Sequence, residues 1–94
     1  MQQLSEMELL EIYEQYFEKG DELILKQFPS KQKKQHGVLL FIIKVVDPEV
    51  IYSEKTLNEI LKPIYSDFVM IRRYLVDLGL LKRKDDGSAY WVNR

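Results

Sequence analysis

The chain is 94 residues long, and a domain of that size buries only about 60–65% of the surface its unfolded form exposes, so one domain with one modest core is expected. Its composition, 46% hydrophobic and 31% charged with no cysteine, excludes a disulfide framework and a thiolate zinc site, argues against a disordered or fibrous chain, and fits a reducing, cytoplasmic compartment. The net charge of −1 conceals a split in which residues 1–22 carry −6 and residues 23–94 carry +5, an acidic arm on a basic body that directs attention to an anionic partner.

The opening MQQLSEMELLEIYEQYF has no basic leader ahead of an apolar stretch and does not read as a secretion signal. Ser5 and Glu8 have the spacing of a capping box, which predicts a helix start. Leu9, Ile12, Tyr13, Tyr16 and Phe17 then recur at three- and four-residue intervals up to a stop at Gly20. The stretch ELILKQF, closed by Pro29, reads as a short strand. Ser30 is the expected cap of a second helix, KQKKQHGVLLFIIKVV, ended by Asp47-Pro48. Its later half, Val38 to Val46, is apolar nearly all round, as a central buried helix requires. The longest unbroken apolar run, Val38 to Ile43, falls far short of the ~20 residues that span a bilayer, so no membrane partner is expected.

VIY at 50–52 is a candidate strand. Ser53 is placed to cap a third helix carrying Leu57, Ile60 and Leu61, which Pro63 ends. Ser66 is placed to cap a fourth with Phe68, Ile71, Tyr74, Leu75 and Leu78 on its core face, and Gly79 sits where a left-handed residue closes a helix. LLKRKDDGSAYWV predicts two strands around Asp86-Gly87. The expected fold is α+β and winged helix-turn-helix-like: mostly helical, with a C-terminal β-hairpin wing and an extra N-terminal helix. It forms a single domain over 1–94, an acidic amphipathic helix at 1–20 and a core at 30–92.

Three blocks carry a family resemblance. FPSKQKK (28–34), YSEKTLNEIL (52–61) and SDFVMIRRYLVDLGLLKRKDDGSAYW (66–91) resemble, in order and spacing, an uncharacterised bacterial domain family found alone or C-terminal to ArsR- and MarR-like transcriptional regulators. The resemblance runs from about residue 17 to 92 and leaves the acidic helix largely outside. It implies a winged-helix-like fold and an association with transcription. Lys55 departs from the pattern, standing where that family carries an acid.

The basic groups suggest a nucleic-acid interface. Arg72 and Arg73 on the fourth helix are candidates for phosphates or guanine edges, or alternatively for ion pairs with Asp77, Asp67 or Glu54. Lys82, Arg83 and Lys84 suit a wing that tracks a phosphate backbone, or a charged edge that blocks strand aggregation. Lys31, Lys33 and Lys34 occupy a helix start, where the macrodipole disfavours lysine and favours an incoming phosphate. Tyr90 is expected in the core, and its neighbour Trp91 is a candidate for stacking or partner contact. His36 stands alone and reads as no metal ligand. Glu54 and Glu59 do not share a helix face. No phosphate-binding glycine loop, zinc pair or nucleophile motif is present, so neither an enzyme nor a cofactor is expected. Two functions remain open: DNA binding linked to transcription regulation, or protein interaction and dimerisation on the same fold. The acidic helix either packs on its own domain, pairs with another subunit or covers the basic surface.

Overall fold

In a computed structural model, which describes residues 3–94, local capping chemistry sets most helix starts. Helix α1 (Glu6–Tyr16) opens on the predicted box: the Glu8 amide donates to Ser5 Oγ and the Ser5 amide to Glu8 Oε1, both at 3.1 Å. Helix α3 (Glu54–Leu61) is capped by Ser53. Helix α4 (Phe68–Asp77) starts on Asp67 rather than Ser66, with Asp67 Oδ1 accepting from the Met70 amide at 3.2 Å. An ionised carboxylate serves that position through the macrodipole as well as the hydrogen bond. Gly79, at φ +77°, closes α4 in the left-handed region.

Helix α2 (Gln32–Ile43) departs from expectation at both ends. Its cap is Lys31, not Ser30, and gives no side-chain acceptor. The side-chain amide of Gln35 instead donates to the carbonyl oxygens of Pro29 and Ser30 at 2.9 and 3.4 Å, folding the approach onto the helix. The far end tightens early: Val45 and Val46 donate to the carbonyls of Ile42 and Ile43, three residues back. Asp47 then turns the chain, its carboxylate accepting from the Glu49 amide at 2.9 Å. Val46 stays buried, but Val45 lies beyond the helix and is exposed.

Two predicted strands shrink to single bridges. From 22–28 only Leu25 pairs, with Phe17, and from 50–52 only Tyr52 pairs, with Tyr90. Leu25 has no neighbouring strand to extend against, and Tyr52 meets only the first residue of the C-terminal strand that begins at Tyr90. The sheet proper is the antiparallel hairpin β1 (Leu81–Arg83) and β2 (Tyr90–Val92), in register Leu81 with Val92, Lys82 with Trp91 and Arg83 with Tyr90. Its turn follows the Asp86-Gly87 signal. The Gly87 amide donates to the Lys84 carbonyl at 2.9 Å, and Gly87 adopts φ +76°. The Ser88 hydroxyl, and next its amide, hold the Asp86 carboxyl below its usual range.

Among the described residues, four helices with a C-terminal hairpin make a small α+β layout compatible with a winged helix. One core joins them: Val38, Leu39 and Ile42 from α2, Leu57 and Leu61 from α3, Ile71 and Leu75 from α4, and Leu81 and Tyr90 from the hairpin. Leu78, expected in this core, is 42% exposed because it lies past the last turn of α4. No helix among the described residues is long and apolar enough to cross a membrane.

Helix α1 closes the open side of α2. Tyr13, Phe17 and Phe41 meet with ring centroids 5.4 to 5.6 Å apart. Gly37 permits the approach, since a Cβ there would fall 2.5 Å from Ile12 Cδ1. An ion pair between Lys33 and Glu8 adds to the contact. The Lys33 ammonium, followed by the Ser5 amide, holds the Glu8 carboxyl below its ordinary value of 4.5.

Two outcomes follow from this packing. Alanine is favoured over glycine within a helix by ~1 kcal/mol, but overpacking costs about 1–3 kcal/mol, so Gly37→Ala alone is expected to lower the urea midpoint. With Ile12→Val, which removes the obstructing methyl, the same alanine is expected to raise the midpoint relative to Ile12→Val alone. The second outcome concerns Glu8. Its lowered pKa means that the contribution of its ionised form is complete above the unfolded value and lost as pH falls through the folded one. A carboxyl titration followed by NMR should find Glu8 below 4.5, and Lys33→Met should move it upward.

Candidate functional site

The first strand of the hairpin packs against α4, and the alternation of the strands sorts the basic side chains by face. Arg83 shares the inward face with Leu81 and Tyr90, whereas Lys82 shares the outward face with its cross-strand neighbour Trp91. The inward face and α4 enclose a cleft of about 230 Å³ lined by Arg72, Arg73, Val76, Asp77, Arg83 and Tyr90. Three guanidinium-bearing side chains therefore border one small opening, with Asp77 as the acid on its wall.

They are held in different ways. Arg72, its side chain only 12% exposed, donates to Asn58 Oδ1, lies 3.5 Å from Glu54 and covers the Tyr90 ring at 5.6 Å. Glu54 and Asn58 stand one turn apart on α3, so a single helix face receives the guanidinium. Arg83 is pinned by its own turn, donating to the carbonyls of Lys84 and Asp85 at 3.1 and 2.7 Å. Arg73 is exposed and makes no side-chain hydrogen bond or ion pair among the described residues. Two guanidinium groups with fixed positions and one free to swing suit recognition of a compact anion, because little ordering remains to be done at the fixed pair.

The predicted lysines do not join this cleft. Lys33 pairs with Glu8, and Lys34 donates to Gln15 Oε1 at 3.3 Å while lying over the Tyr16 ring at 5.8 Å. The acidic helix thus occupies two of the three cations at the start of α2, leaving Lys31 exposed at the cap. Lys84, with Trp91, borders a groove of about 490 Å³ that also includes Pro48, Val50 and Ile51. Trp91 is half-buried in its wall, and Ile51 is 73% exposed at its rim.

A further cavity of about 620 Å³ lies between α2 and α4, bordered by His36, Leu40, Tyr74, Leu78 and Leu80. No group of three or more potential metal-ligating side chains occurs among the described residues. Sequence reasoning missed Asn58 as the main partner of Arg72, and missed Val50 and Ile51 as exposed surface. The spacing of Glu54 and Asn58 was the available sign of the first. The second depended on residues 50–52 not forming a strand.

Residues 24–92 match the family described as "Uncharacterized protein conserved in bacteria (DUF2087)", so α1 lies outside the matched region. No curated protein and no solved structure matches the chain. With the match covering residues 24–92 and so most of the chain, the chain belongs to the DUF2087 family of bacterial proteins.

Proposed function

We propose that the chain is a non-enzymatic, transcription-associated DNA-binding module of the winged-helix kind, with α4 as its recognition helix and the hairpin as its wing. The observation that carries this reading is the arginine cleft: Arg72, Arg73 and Arg83 meet where α4 joins the wing. A duplex with α4 in its major groove has a phosphate backbone running between helix and wing, where this cleft opens. Arg73 supplies the mobile contact, Arg83 a fixed donor, and Arg72, held over the Tyr90 ring by its partners on α3, mainly positive potential. Lys31 adds a free cation at the start of α2. Lys82 and Lys84 face away from the cleft, so they are not assigned to the same stretch of backbone.

A specific observation favours a second reading, protein interaction, in which the Trp91 groove is the working surface. Its apolar wall and exposed Ile51 have no use in phosphate binding.

Fluorescence anisotropy with a random-sequence duplex across a salt series separates the two. About two to three phosphate contacts give a log–log salt slope of about −2 to −3, and Arg73→Ala is expected to make it shallower by about 1 without shifting the urea midpoint. Arg72→Ala should instead destabilise the fold by about 1–3 kcal/mol, the range for losing charged hydrogen bonds. Absence of duplex binding at low salt would overturn the DNA reading and leave protein interaction in its place.

A further inference from the structure

Helix α1 carries a second helical stripe that the fold does not use. Ile12, Tyr13 and Tyr16 turn inward, whereas Met7, Leu10, Glu11 and Glu14, spaced i, i+3, i+4 and i+7, lie on the exposed side. Met7 is 68% and Leu10 54% exposed, large values for two neighbouring apolar side chains. The outward stripe is therefore apolar and acidic together.

The outer face of the hairpin has the opposite character. Its groove is lined by Trp91, Val50 and Ile51, with Lys84 at its border. Lys82, the cross-strand neighbour of Trp91, adds a second cation, and neither lysine has an ion pair among the described residues. Arg94, at the same rim, is matched by Glu49 at 2.9 Å, so the unmatched charge there belongs to the lysines.

We propose that the outward stripe of α1 docks in the Trp91 groove of a second copy of this chain, with Met7 and Leu10 against Trp91 and Ile51, and Glu11 and Glu14 toward Lys82 and Lys84. Charge complementarity selects this occupant, because one chain carries both halves of the contact on faces of opposite sign. The chain's own groove is out of reach. The stripe points away from the body to which Ile12 and Tyr16 fasten α1, and turning it inward would expose both. The contact joins two different faces, so it is heterologous, and its small size makes it weak and salt-sensitive.

Sedimentation velocity of the full chain from about 10 μM to about 500 μM tests this over the range where a weak contact fills. The weight-average mass is expected to rise with concentration and to fall back in high salt. Lys82→Glu/Lys84→Glu and Glu11→Lys/Glu14→Lys should each stay monomeric, since each places like charges on both faces. Their equimolar mixture should associate, because the reversed groove then meets the reversed helix. Ile51→Asp should stay monomeric with an unchanged circular dichroism spectrum, while Arg73→Ala should associate like the wild type, separating this contact from the DNA reading. A wild-type chain that remains monomeric throughout, a mixture that fails to associate, or Ile51→Asp associating as the wild type does would each overturn the proposal.

Discussion

Tyr90 ties together three parts of the chain that are distant in sequence. Its amide donates to the Tyr52 carbonyl and its carbonyl accepts from the Tyr52 amide, both at 2.8 Å, so the segment before α3 is attached to one edge of β2. Its other edge faces Arg83 across the hairpin. Tyr90 is 2% exposed, and its ring lies beneath the Arg72 guanidinium, which α3 holds through Asn58 and Glu54. A two-stranded hairpin is marginal by itself in water. This one is held because β2 is engaged on one face and at its outer edge: the inward side chain of Tyr90 enters the core, and its backbone carries a third segment. The arginine cleft inherits its shape from that arrangement, with Arg72 fixed from behind and Arg83 fixed by the turn.

Burial also governs how the charges are apportioned. Read as a string, the body carries three basic groups that look equivalent. In the fold, Arg72 is committed to α3, Lys33 and Lys34 to α1, and Arg83 to its own turn. Arg73, Lys31, Lys82 and Lys84 remain available, and they lie on more than one face. The acidic helix supplies the charge that the first turn of α2 lacks, a role that its place in the sequence does not announce. Surface ion pairs are individually worth little, so Glu8 and Lys33 matter less for stability than for removing a cation from the field an approaching anion meets.

Most of what could be read from the sequence was settled within one turn of chain, although Ser30 and Ser66, equally local signals, each lost the cap position to the next residue. The Ser5 box, the Ser53 cap, the left-handed Gly79 and the Asp86-Gly87 turn each depend on groups three or four residues apart, and each appears where the residues say. Strands 22–28 and 50–52 failed as predictions for one reason: a strand exists only when another segment offers a matching edge. Here Phe17 and Tyr90 offer one residue each. Leu78 continued the helical period beyond the last turn that makes it meaningful. The division between Arg72 and Arg73 was equally out of reach, since adjacent positions on one helix differ by ~100°, and the face that meets α3 is set by the crossing of two helices. The candidate site was thus legible as a set of cations and illegible as a geometry.

Helix α1 lies outside the matched region, yet Ile12, Tyr16 and Phe17 belong to the same core as Leu57 and Ile71. The reason lies in α2, which is apolar around most of its circumference and needs cover on two sides. Helix α4 supplies one cover and α1 the other, brought close by the missing side chain at Gly37. Without α1, Phe41 would lose the Tyr13 ring, and Lys33 and Lys34 would be freed together. One contact therefore completes the core and reduces the positive field at the start of α2. Its cost is an acidic surface with Met7 and Leu10 left in water, so the burial that closes the domain also creates the face with most to gain from a partner.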